Sequence, residues 1–494
     1  MGRFKKEIIL GVLLVIAYFL TRLSNLTILP IFTDEAIYLR WAQIALGDAS
    51  WRFISLTDGK QPLFIWLTLP LIKIISDPLL AGRLVSVVAG FFSLLGMFLL
   101  GWEVSKNKKV GLICAFFYLV TPFFLVYDRL ALMDSLLTSF AIWSLYLTIL
   151  LIRTLRLDVA LILGMVIGGG LLTKSSANFF LYLIPVSLIL FPWKKKGKWL
   201  LFGRWLGLVL IAVFISQLIN NVQRLSPFYY IVTLKNKNFI IGFSEFWQQP
   251  FRLFLGNLRG LTTWLVGYLT LPTSLLMVIS SLWAIKKNFK LSTLLLFWFI
   301  IPFLALAALG KIIYPRFILF MIPPIILLAA QFLSEVGELV KSKILKIVFL
   351  FLLFAPSIYF DLRLLTAPVL APYPLADRQQ FLNDWPSGFG VWEAVAYFKE
   401  ESKKGKIFIA TEGTFGLFPA AFELYLGRDK NITIKGYWPL SEISSEFLKE
   451  AKTQPTYVVF KEKQEIPTSW PLNLVLEVRR GNGPTFLRVY KVVP

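Results

Sequence analysis

Residues Ile31-Phe32-Thr33-Asp34-Glu35-Ala36-Ile37-Tyr38-Leu39-Arg40-Trp41 put two adjacent carboxylates just beyond the first hydrophobic run, residues 8–24. In a chain built mostly of apolar helices, ionisable side chains at a membrane exit need a physical reason, because charge near hydrocarbon is costly. Downstream, Lys60-Gln61-Pro62-Leu63-Phe64-Ile65-Trp66-Leu67 sets a cation at the head of another apolar run. An acid and a cation fixed at one lip of the bilayer suit chemistry on a lipid-borne anionic substrate.

The composition around this stretch agrees. The chain of 494 residues is 57% hydrophobic and 16% charged, with a mean hydropathy of +0.70. Soluble domains carry roughly a quarter charged residues. Repeated apolar stretches of about 17–25 residues therefore define a polytopic helical membrane protein. The net charge of +23 does not mark a nucleic-acid binder, because the cations cluster between apolar spans as the positive-inside bias requires. With no histidine in the chain, Ser-His-Asp catalysis, histidine metal sites and histidine proton relays are excluded. Cys114 stands alone, so no intrachain disulfide forms. Carboxylates are the available bases, and Arg and Lys the available anion binders. Arg3, Lys5 and Lys6 precede the first run with no small-residue cleavage site after it, which reads as a retained span with a cytoplasmic N-terminus.

From that start, the basic clusters set the topology. Residues 62–76 are short for a crossing, and counting them as one would move Lys106, Lys108 and Lys109 to the wrong side; they are placed in the outer interface. Spans follow at 79–101, 110–126 and 130–152, with Tyr127-Asp128-Arg129 as an outer turn. Two short spans across 157–193 place Thr173-Lys174-Ser175-Ser176 outside. Later spans are read at 199–221, 259–285, 291–309, 317–334 and 344–360, with Lys311-Ile312-Ile313-Tyr314-Pro315-Arg316 as another outer turn. The loop 222–258 carries Arg224, Lys235, Lys237 and Arg252 beside Phe239-Ile240-Ile241 and Phe246-Trp247, which suits either headgroup or lipid-phosphate contact or an ordinary interfacial loop.

After Asp361 the composition changes. Pro368, Pro372 and Pro374 form a stiff connector, then Val391–Lys403 reads as a helix. Lys406–Thr411, Asn431–Lys435, Thr456–Phe460, Leu472–Val478 and Thr485–Val492 read as strands, with Gly481-Asn482-Gly483-Pro484 as a hairpin turn. The expected fold is an α-helical polytopic membrane protein of about eleven transmembrane helices over 1–360. Its outer loops are 25–78 and 222–258, and an extracytoplasmic soluble α/β domain follows over 361–494.

Each candidate site residue has a bland alternative. Asp34 and Glu35 follow Thr33 at a helix start, where acids cap amides and meet the positive helix end. Ile37, Trp41 and Ile44 share one face, which would lay that helix flat on the membrane and fix Asp34 at the aqueous boundary. Lys60 can be a snorkelling anchor, and Arg129 with Asp134 an ion pair orienting a helix. Asp134 sits slightly inside the membrane, however, and a charge there points to a site. Lys174 and Arg316 are cations on the positive-poor side, better explained by an anionic ligand. One carboxylate loop together with four separated outer cations, Lys60, Arg129, Lys174 and Arg316, is the informative combination.

Taken in order, Phe32-Thr33-Asp34-Glu35-Ala36-Ile37-Tyr38, Lys60-Gln61-Pro62-Leu63-Phe64-Ile65-Trp66, Arg129-Leu130-Ala131-Leu132-Met133-Asp134, Gly170-Leu171-Leu172-Thr173-Lys174 and Tyr314-Pro315-Arg316-Phe317 resemble the motifs of GT-C-fold glycosyltransferases. The likeness is to the prokaryotic branch related to protein O-mannosyltransferases and aminoarabinose transferases. The tail from Asp377-Arg378-Gln379-Gln380 through Trp385-Pro386-Ser387-Gly388 is similar to the outer domain of prokaryotic members. The resemblance implies an integral plasma-membrane transferase that takes a sugar from a polyisoprenyl-phosphate donor on the extracytoplasmic face, with inversion. The acceptor would be a protein, lipid or glycan hydroxyl. Asp34 matches the catalytic carboxylate, Glu35 and Asp134 its acidic partners, and Lys60, Lys174 and Arg316 the contacts to the donor phosphate. Two departures stand out. Gln61 replaces a proline of the family motif, and Gly59 stands where some relatives have an acid. Members that hold a divalent metal use histidine, so any metal here would lack such ligands. A transporter or lipid flippase, with ionisable groups at the midplane, and a non-catalytic assembly factor are the rival readings.

Overall fold

The computed structural model describes residues 2–494, apart from the side chains of residues 2–5 and of Phe243. Arg3 and Lys5, read above as cytoplasmic markers, therefore lie outside the described side chains. The chain divides into two compact units: Met1–Ser24, Arg52–Leu67 and Arg83–Thr366 form one, and Asn25–Trp51, Thr68–Gly82 and Ala367–Pro494 the other.

The first unit is helical. Among the described residues, five helices are long and apolar enough to cross a membrane: Pro78–Ser105, Met133–Thr154, Lys198–Leu225, Phe289–Leu309 and Lys343–Thr366. Eight spans result if each of three bent helix pairs counts as one, so the eleven expected are not reproduced as straight helices. The bends have local causes. Lys108–Val120 and Pro122–Asp128 meet at 64°, and Pro315–Met321 and Pro323–Leu339 at 54°. In both pairs a proline opens the second helix, where its missing amide and its ring stop the first from continuing. The run read as a single span at 259–285 is instead two helices, Phe254–Leu269 and Leu271–Lys287, bent by 108°. Thr270 at the break has φ 64°, a conformation that ends a right-handed helix.

The loop 222–258 is also more ordered than expected, with helices at Tyr229–Phe239 and Phe243–Gln248. Backbone bonds zip it to the turn after Phe289–Leu309: Ile241 N donates to Leu309 O (2.7 Å) and Lys311 N to Phe239 O (2.8 Å). The Glu245 carboxylate, held below the usual carboxylate range chiefly by its hydrogen bond to Lys311, reinforces that seam.

The second unit holds a five-stranded mixed sheet in the order β2-β1-β3-β5-β4. Its strands are β1 (Ile407–Glu412), β2 (Ile432–Tyr437), β3 (Thr456–Phe460), β4 (Leu472–Arg479) and β5 (Phe486–Val492). They fall where short apolar runs bounded by Gly, Pro and Asn placed them. β1 pairs in parallel with β2 and β3, and β5 runs antiparallel to β3 and β4. β1 and β3 are buried along their whole length, as expected for near-continuous apolar runs such as Ile407-Phe408-Ile409-Ala410.

The Asp34-bearing helix, Thr33–Gly47, belongs to this unit and not to the helical one. Its apolar face is packed in protein, which corrects the membrane-surface expectation. Ile37 and Trp41 are 3% and 6% exposed, and the Trp41 ring lies 6.1 Å from that of Phe415. Burying each such side chain stabilises by about 2–3 kcal/mol. Ile44, the third member of the expected face, is only partly buried, while Ala36, Tyr38 and Leu39 are buried as well, so the helix is enclosed on most sides and not laid on a surface by one stripe.

Candidate active site

In the helical unit, three polar segments meet at one hydroxyl. Gln61 Nε2 donates to Ser175 Oγ (2.7 Å), and Asn236 Nδ2 donates to the same oxygen (3.1 Å). Leu63 N also donates to Leu172 O (3.0 Å), which fixes the start of Leu63–Ile74 against the end of Leu157–Leu171. Each tied residue has a lysine beside it in sequence, Lys60, Lys174 and Lys235. Ser175 therefore holds in place the backbone of three cations, none more than one-third exposed.

Two carboxylates tune these lysines. Asp58 lies 3.5 Å from Lys60 Nζ and 2.5 Å from Lys235 Nζ. The approach of Lys235 depends on Gly59, whose φ is +66° and whose added Cβ would lie 2.6 Å from Lys235 Cβ and 2.9 Å from Ile231 O. Only glycine combines that backbone with so close a neighbour. The departure from the family motif at this position thus has a steric reason. Asp134, 5% exposed, accepts from Lys174 Nζ at 2.7 Å. Lys174 Nζ also sits 4.4 Å from the centre of the Phe317 ring, and the Arg316 guanidinium lies 5.9 Å from the same ring and 4.7 Å from that of Tyr314. The ring thus gathers Lys174 and Arg316 by cation–π attraction. Of the expected site residues, Lys60, Asp134, Lys174 and Arg316 belong to this neighbourhood. Lys235 was read only as one of the loop cations suited to lipid contact, and Gln61 only as a departure from the family motif. Asp58, Ser175 and Asn236 were not singled out, though Ser175 adjoins an expected lysine.

Arg129 departs from its expected role. It is 2% exposed, and its Nη1 donates to the carbonyls of Thr21, Arg22 and Ser24 at 2.7–2.9 Å. A cation there satisfies orphan carbonyls at the end of Gly2–Leu23 and meets the negative end of that helix. The turn Tyr127-Asp128-Arg129 is fully enclosed in protein. Asp128 accepts from Tyr118 Oη and Ser135 Oγ and pairs with Arg22.

In the other unit, Thr33–Gly47 starts where the motif predicts. Asp34 is half-buried at its first turn. Glu35 is fully buried, and its Oε2 accepts the Phe32 amide at 2.9 Å. This is the reciprocal half of a capping box, so for Glu35 the capping alternative describes the geometry. Among the described residues no group of three His, Cys, Asp or Glu side chains is placed to hold a metal ion.

Residues 59–219 match the family model of dolichyl-phosphate-mannose-protein mannosyltransferase, a segment that includes Lys60, Arg129, Asp134 and Lys174. The undecaprenyl phosphate-alpha-4-amino-4-deoxy-L-arabinose arabinosyl transferase of Pectobacterium carotovorum subsp. carotovorum (strain PC1) is 26% identical over 330 residues, 64% of this chain and 57% of that protein. The chain thus matches less than two thirds of that relative's length. Crystal structures of ArnT from Cupriavidus metallidurans superpose with TM-scores of 0.62 in the apo state and 0.58 bound to undecaprenyl phosphate. The apo match covers 100% of this chain and 99% of that one at 14% identity; the bound match covers 98% of each at 13%. In fold the chain is similar to those ArnT structures over nearly its whole length, and in sequence it resembles the mannosyltransferase family and the arabinosyl transferase named above.

Proposed function

We propose that the protein is an inverting glycosyltransferase that moves a sugar from a polyisoprenyl-phosphate donor to a hydroxyl acceptor on the extracytoplasmic face of the membrane. The N-terminus would then be cytoplasmic and the C-terminal domain outside. The observation that carries the reading is the cation group around Ser175: Lys60, Lys174 and Lys235 held on three tied segments, with Arg316 sharing the Phe317 ring with Lys174. Such a group in a membrane protein suits the phosphate of a lipid. The ArnT structure bound to undecaprenyl phosphate, and the likeness to a dolichyl-phosphate-mannose transferase family and an undecaprenyl phosphate-aminoarabinose transferase, support the same donor class.

The chemistry is a single displacement. Asp34 takes a proton from the acceptor hydroxyl as its oxygen attacks the anomeric carbon, a step worth about 10²–10⁴-fold. The bond from that carbon to the phosphate oxygen breaks, and the lipid phosphate leaves with its electron pair. Lys60, Lys174 and Arg316 stabilise the charge that builds there, each donor contributing about 10²–10³-fold. A phosphate leaves without strong protonation, so one base suffices and no second carboxylate is needed as general acid, unlike in glycoside hydrolysis. Asp134 holds Lys174, and Glu35 holds the helix that presents Asp34.

The test is transfer of radiolabel by purified protein from undecaprenyl-phosphate-linked mannose and, separately, the aminoarabinose donor. Transfer from either supports the class and separates the two specificities. Donor left intact with all three acceptor types, protein, lipid and glycan, contradicts it.

A further inference from the structure

We propose that the segment Trp385-Pro386-Ser387-Gly388 of the C-terminal domain is a positioning element for the Asp34 helix, so that this domain takes part in catalysis without touching the reacting atoms. The inference rests on Asp34 being the base. Phe32 and Ser387 form an antiparallel bridge. One carbonyl, that of Pro386, accepts both the Thr33 amide (3.0 Å) and the Thr33 Oγ1 hydroxyl (2.9 Å). The residue before Asp34 is thereby fixed through its main chain and its side chain at once. Gly388 permits the approach: a Cβ on it would lie 2.2 Å from Ile31 O. The Phe32 ring stands edge-on to Phe381 at 5.0 Å.

The anchoring segment is itself held. Lys461 Nζ lies 4.2 Å from the centre of the Trp385 ring. The loop carrying Lys461 is fastened by Glu412, whose carboxylate accepts the amides of Lys461, Glu462 and Lys463 at 2.7–3.1 Å. At the far side of the helix, Arg40 Nε meets Glu423 Oε2 at 2.9 Å and Gln43 Nε2 donates to Leu424 O at 3.0 Å. The helix is thus fastened to this domain at its start and again two to three turns along. Misplacing a reacting group by about 1 Å costs on the order of 10²-fold, which is a reason for such fastening.

The test uses full-length protein in nanodiscs, with undecaprenyl phosphate as the binding probe and the undecaprenyl-phosphate-linked sugar that wild type turns over as substrate. Gly388→Val drives a side chain onto Ile31 O, and Thr33→Val removes one donor with little change of shape. Both should lower kcat, by about 100-fold and about tenfold respectively, while undecaprenyl phosphate binds within twofold of wild type and Thr33→Ser restores the rate. Neither should lower further the residual rate of Asp34→Asn. Thr33→Val keeps the test alive should Gly388→Val fail to fold. An inactive Asp34→Asn beside a Thr33→Val of wild-type kcat would overturn the positioning role alone. So would equal losses of kcat and of binding. Wild-type turnover by Asp34→Asn would overturn the base reading, and the positioning role with it.

Discussion

Asp134 Oδ1, in the first turn of Met133–Thr154, and Lys174 Nζ, from the turn that follows Leu157–Leu171, are 2.7 Å apart, with the carboxylate almost fully enclosed and the lysine reaching to the face of Phe317. The pair fixes the direction of one cation in the group proposed to hold the donor phosphate. In the proposed mechanism this carboxylate holds the lysine and does not act as a second base. Lys174→Ala should therefore weaken undecaprenyl phosphate binding by about tenfold or more, as expected for loss of a charge-assisted contact. Asp134→Asn should weaken it through the same lysine. The double variant should then lose no more than Lys174→Ala alone, a non-additivity of about 1 kcal/mol or more in a binding cycle. Strict additivity would separate the two residues.

Ser175 Oγ is the acceptor shared by Gln61 and Asn236. Ser175→Ala leaves two amide donors without their partner, at a net cost of about 1–2 kcal/mol. The melting temperature should fall and donor affinity should fall with it, because all three lysine-bearing segments loosen together. Gln61→Ala should show a smaller change in the same direction.

Gly59→Ala tests why this chain lacks an acid there. The left-handed backbone, with the Lys235 and Ile231 atoms close by, makes any side chain costly by about 1–3 kcal/mol. Calorimetry in detergent should register that loss, and Gly59→Glu should be at least as damaging. A stable, fully active Gly59→Glu would show that the Tyr229–Phe239 helix can retreat.

Arg129 separates the sequence expectation from the structure. Its three carbonyl partners give it a structural role, and Arg129→Ala should destabilise by about 3 kcal/mol, the loss of charged hydrogen bonds in a buried site. Undecaprenyl phosphate affinity of the folded protein should stay within twofold. A selective loss of that affinity would return Arg129 to the phosphate.

Much of this was legible in the sequence because the signals were local. Short apolar runs bounded by Gly, Pro and Asn placed all five strands, and the Thr-Asp-Glu start placed the helix of Asp34. Hydropathy found the long spans but not the break at Thr270, because apolar composition is blind to the dihedral of one residue. Arg129 was read among the outer cations because it lies in an outer-loop motif, and sequence does not reveal that its guanidinium turns back onto helix-end carbonyls. Ile37 and Trp41 were read as an apolar face, but periodicity cannot tell lipid from a domain more than three hundred residues further along. Ser175 and Asn236 were missed for the same reason: their meaning is a contact between segments distant in the chain.

The central claim is that Asp34 removes the acceptor proton while the Ser175-linked cations hold the donor. Asp34→Asn keeps the size of the side chain and removes its basicity. With a lipid-linked sugar donor and purified protein, the expected result is a fall in single-turnover transfer of about 10²–10⁴-fold with undecaprenyl phosphate binding unchanged. Transfer at the wild-type rate would contradict the claim.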